Sequence, residues 1–314
     1  MLEVKGISKR YGAHKALDSV SFKADDGEIV GLLGANGAGK STAMNIITGY
    51  ISANSGSVSL DGKDILENAA EARKDIGYLP EIPPLYTDMT VKEYLYFIYD
   101  LKKCRLPKIS HMKDICSLVK IDEVYNRLIK NLSKGYRQRV GFAQALVGDP
   151  KTLILDEPTV GLDPKQIVEV RSLIKKLGKR HTVILSSHIL TEVQAVCDRI
   201  VIIDKGKVIA DDTEKNILAK HISDRRLFVT VEGAQREKLR IAFEAIAGVK
   251  KVAFTSDSSV QLIPEHEKDI RRAVFETVAQ NGWVLLEMRS GEPTLEDIFM
   301  KLTHGEENAE EEVS

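Results

Sequence analysis

A glycine-rich segment followed by a lysine and two hydroxyl residues lies near the N-terminus. Residues 34–42 read GANGAGKST, in which two glycines separated by four residues precede Lys40 and Ser41. This pattern predicts a phosphate-binding loop, because glycines allow backbone N–H groups to converge on phosphate oxygens. We expect Lys40 to neutralise the β and γ phosphates of a nucleotide and Ser41 to hold Mg²⁺. The predicted nucleotide-binding residues are Gly34, Asn36, Gly37, Ala38, Gly39, Lys40, Ser41 and Thr42.

Two other glycine patterns compete with this interpretation. A dinucleotide-binding fingerprint requires G-x-G-x-x-G, whereas the order here is G-x-x-G-x-G followed by lysine, which disfavours a nicotinamide enzyme. A purely structural glycine turn is the remaining alternative. The apolar run 28–33 directly before the glycines favours the triphosphate site, because such a site needs a strand, a loop and a helix in that order.

Two carboxylates follow a second apolar run. Residues 153–155 read LIL, and Asp156 and Glu157 come next. The carboxyl end of a buried parallel strand is where ligands of such sheets bind. We expect Asp156 to orient Mg²⁺ through water and Glu157 to polarise the attacking water as a general base. A solvated strand end or a helix N-cap is the alternative for this pair.

The elements that must position these side chains alternate in type between residues 2 and 220. Helical stretches separate β-branched runs at 28–33, 152–155, 182–185 and 199–203. This alternation predicts an α/β core with a largely parallel sheet.

Other parts of the chain have different patterns. Between about 87 and 148 the apolar residues recur at helical spacing, which predicts a mainly helical subdomain inserted into the core. Residues 224–303 follow a βαββαβ order, which predicts a small α+β domain of ferredoxin-like type. The acidic segment 304–314 contains few apolar residues and is predicted to be a disordered tail.

Composition limits the classes of protein that fit. The 314 residues carry a formal net charge of −1, so no global basic field attracts nucleic acid, and we expect no nucleic-acid partner. Cys104, Cys116 and Cys197 form no CxxC pair, which argues against a zinc or disulfide framework. We find neither an export signal nor an apolar run long enough to span a bilayer, and we expect a cytoplasmic protein.

Three further segments complete a set that resembles the ATP-binding subunit of ABC transporters. They are LSKGY at 132–136, GLD at 161–163 and SSH at 186–188. The resemblance covers about residues 2–220 in the family's motif order. It implies a P-loop ATP-binding-cassette fold, ATP and Mg²⁺ as ligands, and ATP hydrolysis. In that family the signature motif opens a helix that caps the γ-phosphate bound by a partner subunit, so two copies or two homologues sandwich ATP.

The resemblance also implies individual roles. Ser133 and Gly135 act in trans on the partner's nucleotide, and Asp163 lies at the dimer interface. His188 contacts the γ-phosphate as a catalytic residue, and Tyr11 stacks on adenine. A locally satisfied histidine and an aromatic ring packed at a strand end are the alternatives for His188 and Tyr11.

Two residues depart from the family pattern. Glu81 replaces the glutamine of the Q-loop, and Tyr136 replaces the last glutamine of the signature. Glu81 keeps an oxygen available for Mg²⁺ but adds negative charge beside the triphosphate. Both departures, and the C-terminal domain ending in PTLEDIF at 293–299, resemble the ABC-2 type exporter branch, which includes gliding-motility and drug-efflux ATPases.

The resemblance therefore implies a homodimeric ATPase that drives export through a separate transmembrane permease. Such a subunit lies on the cytoplasmic face of the inner membrane, and Tyr86 and Met89 are expected to contact the permease. The alternative is an ABC ATPase that acts on nucleic acid or ribosomes, but neither a second cassette nor sustained heptads are visible. A regulatory subunit that binds ATP without turnover is a further alternative, against which Lys40, Glu157 and His188 argue.

Overall fold

The computed structural model describes residues 1–220, 226–265, 268–291 and 293–304. Contacts divide the chain into two compact units, Met1–Thr213 and Glu214–Ser314. The predicted boundary near residue 220 lies a few residues later than this division, because the helix Glu214–Lys220 packs against the last helix of the chain. Residues 305–314, most of the predicted tail, lie outside the described residues.

The first unit combines strands and helices along its whole length. Its strands are β1 (Leu2–Tyr11), β2 (His14–Ala24), β3 (Ile29–Leu33), β4 (Ser55–Leu60), β5 (Lys63–Asp64), β6 (Ile76–Leu79), β7 (Thr152–Asp156), β8 (Thr182–Ser187), β9 (Arg199–Asp204) and β10 (Lys207–Asp212). Its helices are α1 (Lys40–Ile47), α2 (Ala69–Asp75), α3 (Val91–Leu101), α4 (Lys108–Val119), α5 (Lys134–Leu146), α6 (Pro164–Gly178) and α7 (Leu190–Val196). Short 3₁₀ turns lie at Asp122–Val124 and Ile129–Asn131.

A six-stranded sheet forms the centre of this unit. Its order is β10-β9-β3-β8-β7-β6, and every neighbouring pair is parallel except β10 with β9. Strands β3, β7 and β8 are buried at every position. Along β8 the alternating side chains enter two cores, with Val183 and Leu185 in one and Ile184 in the other. The predicted α/β core with a largely parallel sheet is confirmed.

A second, antiparallel sheet was not predicted. It has the order β2-β1-β4-β5. Strands β1 and β2 form a hairpin in which Tyr11 pairs with His14, so only Gly12 and Ala13 connect them. Such a short connection permits only antiparallel pairing, whereas parallel strands need a long crossover. The alternation of helices and strands farther along the chain concealed this local feature.

Helices fill the segment between β6 and β7. All of residues 87–148 are described, and apart from an isolated bridge between Thr90 and Leu128 they contain no strand. Helix α3 begins with a capping box, in which Thr90 and Glu93 each bond the other's backbone N–H. Helices α3 and α4 bury their apolar faces against α5 in the core that also contains Leu153 and Leu155.

The second unit has a sheet and core of its own. Its elements are α8 (Glu214–Lys220), β11 (Arg226–Glu232), α9 (Arg236–Glu244), β12 (Val249–Phe254), β13 (Ser259–Pro264), α10 (Arg271–Gln280), β14 (Val284–Gly291) and α11 (Leu295–His304). The sheet order is β12-β13-β11-β14, and all neighbours are antiparallel. From β11 to β14 the element order is βαββαβ, the split arrangement of ferredoxin-like domains.

Candidate nucleotide-binding and hydrolysis site

Three neighbouring strands end at one edge of the six-stranded sheet and deliver the predicted site residues there. Strand β3 leads into the phosphate loop, β7 ends at Asp156, and β8, which lies between them, ends at Ser187. Because the three strands are parallel, their carboxyl ends share that edge, which is where ligands of parallel sheets bind. The sheet order therefore places His188 between the phosphate loop and Glu157.

The glycine-rich loop turns sharply into α1. Gly39 is the N-cap of this helix with φ of 109°, and Gly37 has φ of 82°. Both angles lie in the left-handed region, which glycine adopts without steric cost. The first turn of α1 leaves backbone N–H groups without partners inside the helix, and these groups favour an anion at its N-terminus.

Lys40 is buried at the start of α1. Its ammonium donates to the carbonyl oxygens of Gly34 at 2.7 Å and Ala35 at 3.2 Å. It also lies 3.6 Å from the Glu157 Oε1 atom. A buried ammonium is tolerated only with such partners. The lysine is thus held inside the curve of the phosphate loop, where a phosphate would complete its coordination.

Glu157 is held in an unusual backbone conformation beside His188. Its φ is +47°, and its backbone N–H donates to the Ser186 carbonyl oxygen at 3.2 Å and to the Ser186 hydroxyl at 3.1 Å. The carboxylate Oε2 lies 2.9 Å from the Nδ1 atom of His188. A carboxylate and an imidazole in this geometry suit proton transfer from a water molecule.

Asp156 is buried at the end of β7 and accepts a hydrogen bond from the Ser186 hydroxyl. Burial raises the pKa of this carboxyl above its ordinary value, and hydrogen bonds from Ser186 and Ser41 oppose that shift. The negative charges of Glu157 and Glu81 raise the pKa of Asp156 further. A cation at this position would offset the cost of the charged form.

The oxygen donors beside the phosphate loop suit Mg²⁺ only when a nucleotide is also present. In the described part of the chain, no group of three His, Cys, Asp or Glu side chains lies close enough to hold a metal ion on its own. Mg²⁺ usually takes one or two carboxylates together with substrate phosphate oxygens. The Ser41 hydroxyl and the Asp156 carboxylate are hard oxygen ligands, and Ser41 lies near enough to Asp156 to oppose the rise in its pKa. They fit Mg²⁺ once a triphosphate supplies further oxygens.

A cleft of about 490 Å³ opens over these groups. It brings together most of the predicted residues, namely Tyr11, Asn36, Gly37, Gly39, Lys40, Ser41, Thr42, Glu81, Glu157 and His188. Gly34, Ala38 and Asp156 do not line it; Gly34 instead contacts the Lys40 ammonium through its carbonyl oxygen. The Tyr11 ring is half exposed, with the Lys9 ammonium 5.7 Å from its centroid.

The signature residues lie elsewhere. Ser133, Gly135 and Asp163 line a second cleft of about 680 Å³, which shares no lining residue with the first. Ser133 caps α5 by accepting a hydrogen bond from the Tyr136 N–H, and Asp163 caps α6 in the same way. The Tyr136 hydroxyl bonds to the Glu123 carboxylate. Within one chain, therefore, the structure does not bring these residues to Lys40.

Comparison with known proteins decides the family. The ABC transporter family model matches residues 17–160. The linearmycin resistance ATP-binding protein LnrL of Bacillus subtilis (strain 168) is 32% identical over 308 residues, covering 96% of this chain and 98% of that protein. The chain belongs to the ABC transporter ATP-binding family. The bacitracin transport ATP-binding protein BcrA of Bacillus licheniformis is 30% identical, and the match covers 97% of this ABC ATPase and 98% of BcrA.

Solved structures agree with this assignment. The ATP-binding subunit of an ABC transporter superposes with a TM-score of 0.64 and 31% identity, over 70% of this chain and 92% of the other. The cassette MJ0796, in a dimeric post-hydrolysis state bound to ADP and Pi, has a TM-score of 0.62 and 26% identity, over 68% of this chain and 98% of that one. The predicted family, its fold and ATP hydrolysis by this ABC ATPase are confirmed.

Three residues of the nucleotide cleft were not predicted from the sequence: His14, Ala16 and Val160. His14 pairs with Tyr11 across the β1–β2 hairpin, so the short turn at Gly12 was the signal that places it there. Ser186 was not among the predicted site residues, yet it bonds both Asp156 and the backbone of Glu157. Among the described residues of this ABC ATPase, no helix is long and apolar enough to cross a membrane.

Proposed function

We propose that this ABC ATPase works as a homodimer in which each ATP lies between the nucleotide cleft of one copy and the signature residues of the other. The observation that carries this proposal is the separation of the two clefts. Lys40 lines one, and Ser133 and Gly135 line the other, with no lining residue in common. Ser133 opens α5, so free N–H groups at the start of that helix suit a partner's phosphate.

Within the composite site, the residues of the nucleotide cleft have distinct roles. Glu157 acts as general base for the attacking water, and His188, paired with it at 2.9 Å, contacts the γ-phosphate. Tyr11 stacks on adenine, which its exposed ring supports. Asp163 lies at the dimer interface. Phosphate oxygens occupy the curve of the loop around Lys40.

Ser41 and Asp156 would hold Mg²⁺, and Glu81 lines the nucleotide cleft together with Ser41. When bound, the ion supplies neutralisation of charge on the phosphate oxygens. The burial of Asp156 supports this assignment, because a buried carboxylate gains most from a neighbouring cation.

We further propose that ATP-driven closure and opening of the dimer moves a separate permease that exports a substrate. The names of the relatives, which refer to linearmycin resistance and bacitracin transport, support export. The candidate permease contact is the surface around Tyr86, whose half-exposed ring packs edge-on against Phe97 at 5.4 Å. Met89 is only partly buried beside it. Through this contact the ATPase lies on the cytoplasmic face of the inner membrane.

Complementation between two inactive variants tests the shared site. Lys40→Ala disables the nucleotide cleft, and Gly135→Asp places a carboxylate in the signature cleft. In a mixed dimer, the nucleotide cleft of the Gly135→Asp copy faces the intact signature of the Lys40→Ala copy. A one-to-one mixture should recover up to about a quarter of wild-type hydrolysis, because half the dimers are mixed and each has one intact site.

Each variant alone serves as the control and is expected to show background hydrolysis. The mass of Glu157→Gln, which binds ATP without turning it over, should double when ATP is added. A mixture as inactive as its components, together with a monomeric Glu157→Gln in saturating ATP, would refute the homodimer.

A further inference from the structure

A buried carboxylate outside the nucleotide cleft remains without a role in the proposal above. Glu192 lies in the first turn of α7 and is 3% exposed. It does not line the nucleotide cleft. A carboxylate is kept in such a place only if several donors satisfy it. The identity of those donors indicates what Glu192 does.

Its partners come from three separate segments. The Thr159 hydroxyl donates to Oε2 of Glu192, and the Ser187 hydroxyl donates to the same atom at 3.3 Å. Nη2 of Arg171, from α6, lies 4.0 Å from Oε1. The Nε atom of Arg171 is buried and has no hydrogen-bond partner within the described ranges. Glu192 thus joins α6, the loop after β7 and the end of β8.

Two of these partners stand next to the hydrolytic residues. Thr159 follows Glu157 by two positions, and its carbonyl oxygen accepts the Leu162 N–H at 3.1 Å, just before Asp163. Thr159 therefore fixes the loop that runs from the general base to the interface residue. A displacement of Thr159 would be transmitted to both ends of this loop.

Ser187 fixes the turn that carries His188. It directly precedes His188, and its hydroxyl accepts the Ile189 N–H at 3.0 Å. One hydroxyl thus bridges the backbone on both sides of His188 and donates to Glu192 at the same time. The position of the imidazole beside Glu157 depends on this short turn.

The helix that bears Glu192 is itself anchored to the sheet. Helix α7 packs on β3 so closely that a Cβ atom at Gly31 would lie 2.4 Å from the Val193 side chain and 2.8 Å from Cys197. Strand β3 leads directly into the phosphate loop. Helix α7, which bears Glu192, is therefore packed tightly on the strand that leads to Lys40.

We infer that Glu192 is a positioning residue for ATP hydrolysis. Its single carboxylate sets the Glu157–Asp163 loop and the His188 turn relative to each other, acting through Thr159 and Ser187. It does not touch the nucleotide. Misplacement of reacting groups by about 1 Å costs up to about a hundredfold in rate, so the contribution of Glu192 falls on turnover and not on ATP affinity.

Substitutions at Thr159 separate positioning from packing. Thr159→Val keeps the shape of the buried side chain but loses the hydroxyl, whereas Thr159→Ser keeps the hydroxyl and loses a methyl group. We expect Thr159→Val and Glu192→Gln to lower kcat about tenfold to a hundredfold, with the Kd for ATP within about twofold of wild type. Thr159→Ser should retain kcat within about twofold to threefold.

A double variant checks the coupling. If the two residues act through one contact, Thr159→Val combined with Glu192→Gln lowers kcat no further than the more severe single change. ATP affinity is measured by titration with a fluorescent ATP analogue, and thermal unfolding is recorded for every variant at the assay buffer. Wild-type kcat in Thr159→Val would overturn the inference. So would a loss of kcat that is matched by a loss of affinity or of folded protein, because a structural role gives that result.

The inference rests on the proposed hydrolytic roles of Glu157 and His188, and it does not require the two ATPase subunits to be identical copies. Variants with wild-type kcat beside an active wild type would remove the role of Glu192 and leave the shared site untouched. Failure of the complementation between Lys40→Ala and Gly135→Asp would remove the shared site and leave the role of Glu192 untouched.

Discussion

Gly39→Ala should destabilise the nucleotide-free protein more than an ordinary glycine substitution. A Cβ atom at Gly39 would lie 2.6 Å from the carbonyl oxygen of Ala16 and 2.8 Å from the Leu17 side chain. Ala16 and Leu17 belong to β2, and a Cβ atom added at Gly206 would also lie 2.6 Å from the same carbonyl oxygen. The phosphate loop therefore packs closely against β2 and the turn at Gly206.

The magnitude follows from two costs. An alanine at φ of 109° lies outside the favoured regions for L-residues, which costs about 1–2 kcal/mol. Restoring an ordinary contact to the Ala16 oxygen requires a shift of about 0.8 Å in packed backbone, and overpacking of this kind costs about 1–3 kcal/mol. We expect the free energy of unfolding to fall by about 2–5 kcal/mol. ATP affinity should fall as well, since Ala16 lines the nucleotide cleft.

Gly62→Ala is the matched control. Gly62 has φ of 78°, and a Cβ atom there meets nothing within 4 Å, so only the conformational cost of about 1–2 kcal/mol applies. Urea unfolding should be followed by far-ultraviolet circular dichroism, because Trp283, the only tryptophan in the sequence, lies in the second unit. Equal destabilisation by both variants, with unchanged ATP affinity in Gly39→Ala, would refute the close packing of the phosphate loop against β2 as the cause.

Three further predictions concern the proposed nucleotide and Mg²⁺ site. Burial raises the pKa of Asp156, so the contribution of this carboxyl to stability is complete at low pH and is lost as pH rises through the raised pKa. Asp156→Asn, which carries no charge at any pH, should therefore stabilise the nucleotide-free protein at pH 8 and by less at pH 5. Thermal unfolding scans at the two pH values measure this difference. Tyr11→Ala should weaken ATP binding about threefold to tenfold, whereas Tyr11→Phe should leave the titrated Kd unchanged, because stacking needs the ring alone. Glu81→Gln removes a carboxylate from the cleft and should tighten ATP binding about fivefold in EDTA, with a smaller change in Mg²⁺; equal changes in both buffers would contradict a charge effect.

Local sequence patterns predicted the site residues that lie at strand ends. Lys40 and Asp156 each follow a short apolar run, and a parallel sheet brings the carboxyl ends of such runs to one edge. The role of His188 was implied by the family resemblance. The order of the strands in the sheet was not predictable from those runs. It depends on pairings between β3, β8 and β7, which are far apart in sequence.

Contacts across long sequence separations could not be predicted from patterns. Glu192 and Thr159 are 33 residues apart, and nothing in the sequence around either residue indicates that they form a hydrogen bond. Tyr136 and Glu123 are joined in the same way across 13 residues. Buried polar partners of this kind are decided by which side chains the packing brings within hydrogen-bond distance, and that information is absent from local periodicity.

Phosphate binding and hydrolysis draw on different ranges of structure in this ABC ATPase. The carbonyl oxygens of Gly34 and Ala35 turn inward to Lys40, and the Ala38 N–H also donates to Ala35 at 3.1 Å. The other N–H groups of the loop suit an incoming anion. Within one chain, phosphate binding therefore draws mainly on one strand, one loop and the start of α1. In the proposed mechanism, hydrolysis needs the Glu157 carboxylate beside the His188 imidazole, and these residues follow two different strands. Substitutions in contacts between segments should therefore lower kcat more than they weaken ATP binding. Thr159→Val tests this difference, because it removes one such contact outside the nucleotide cleft.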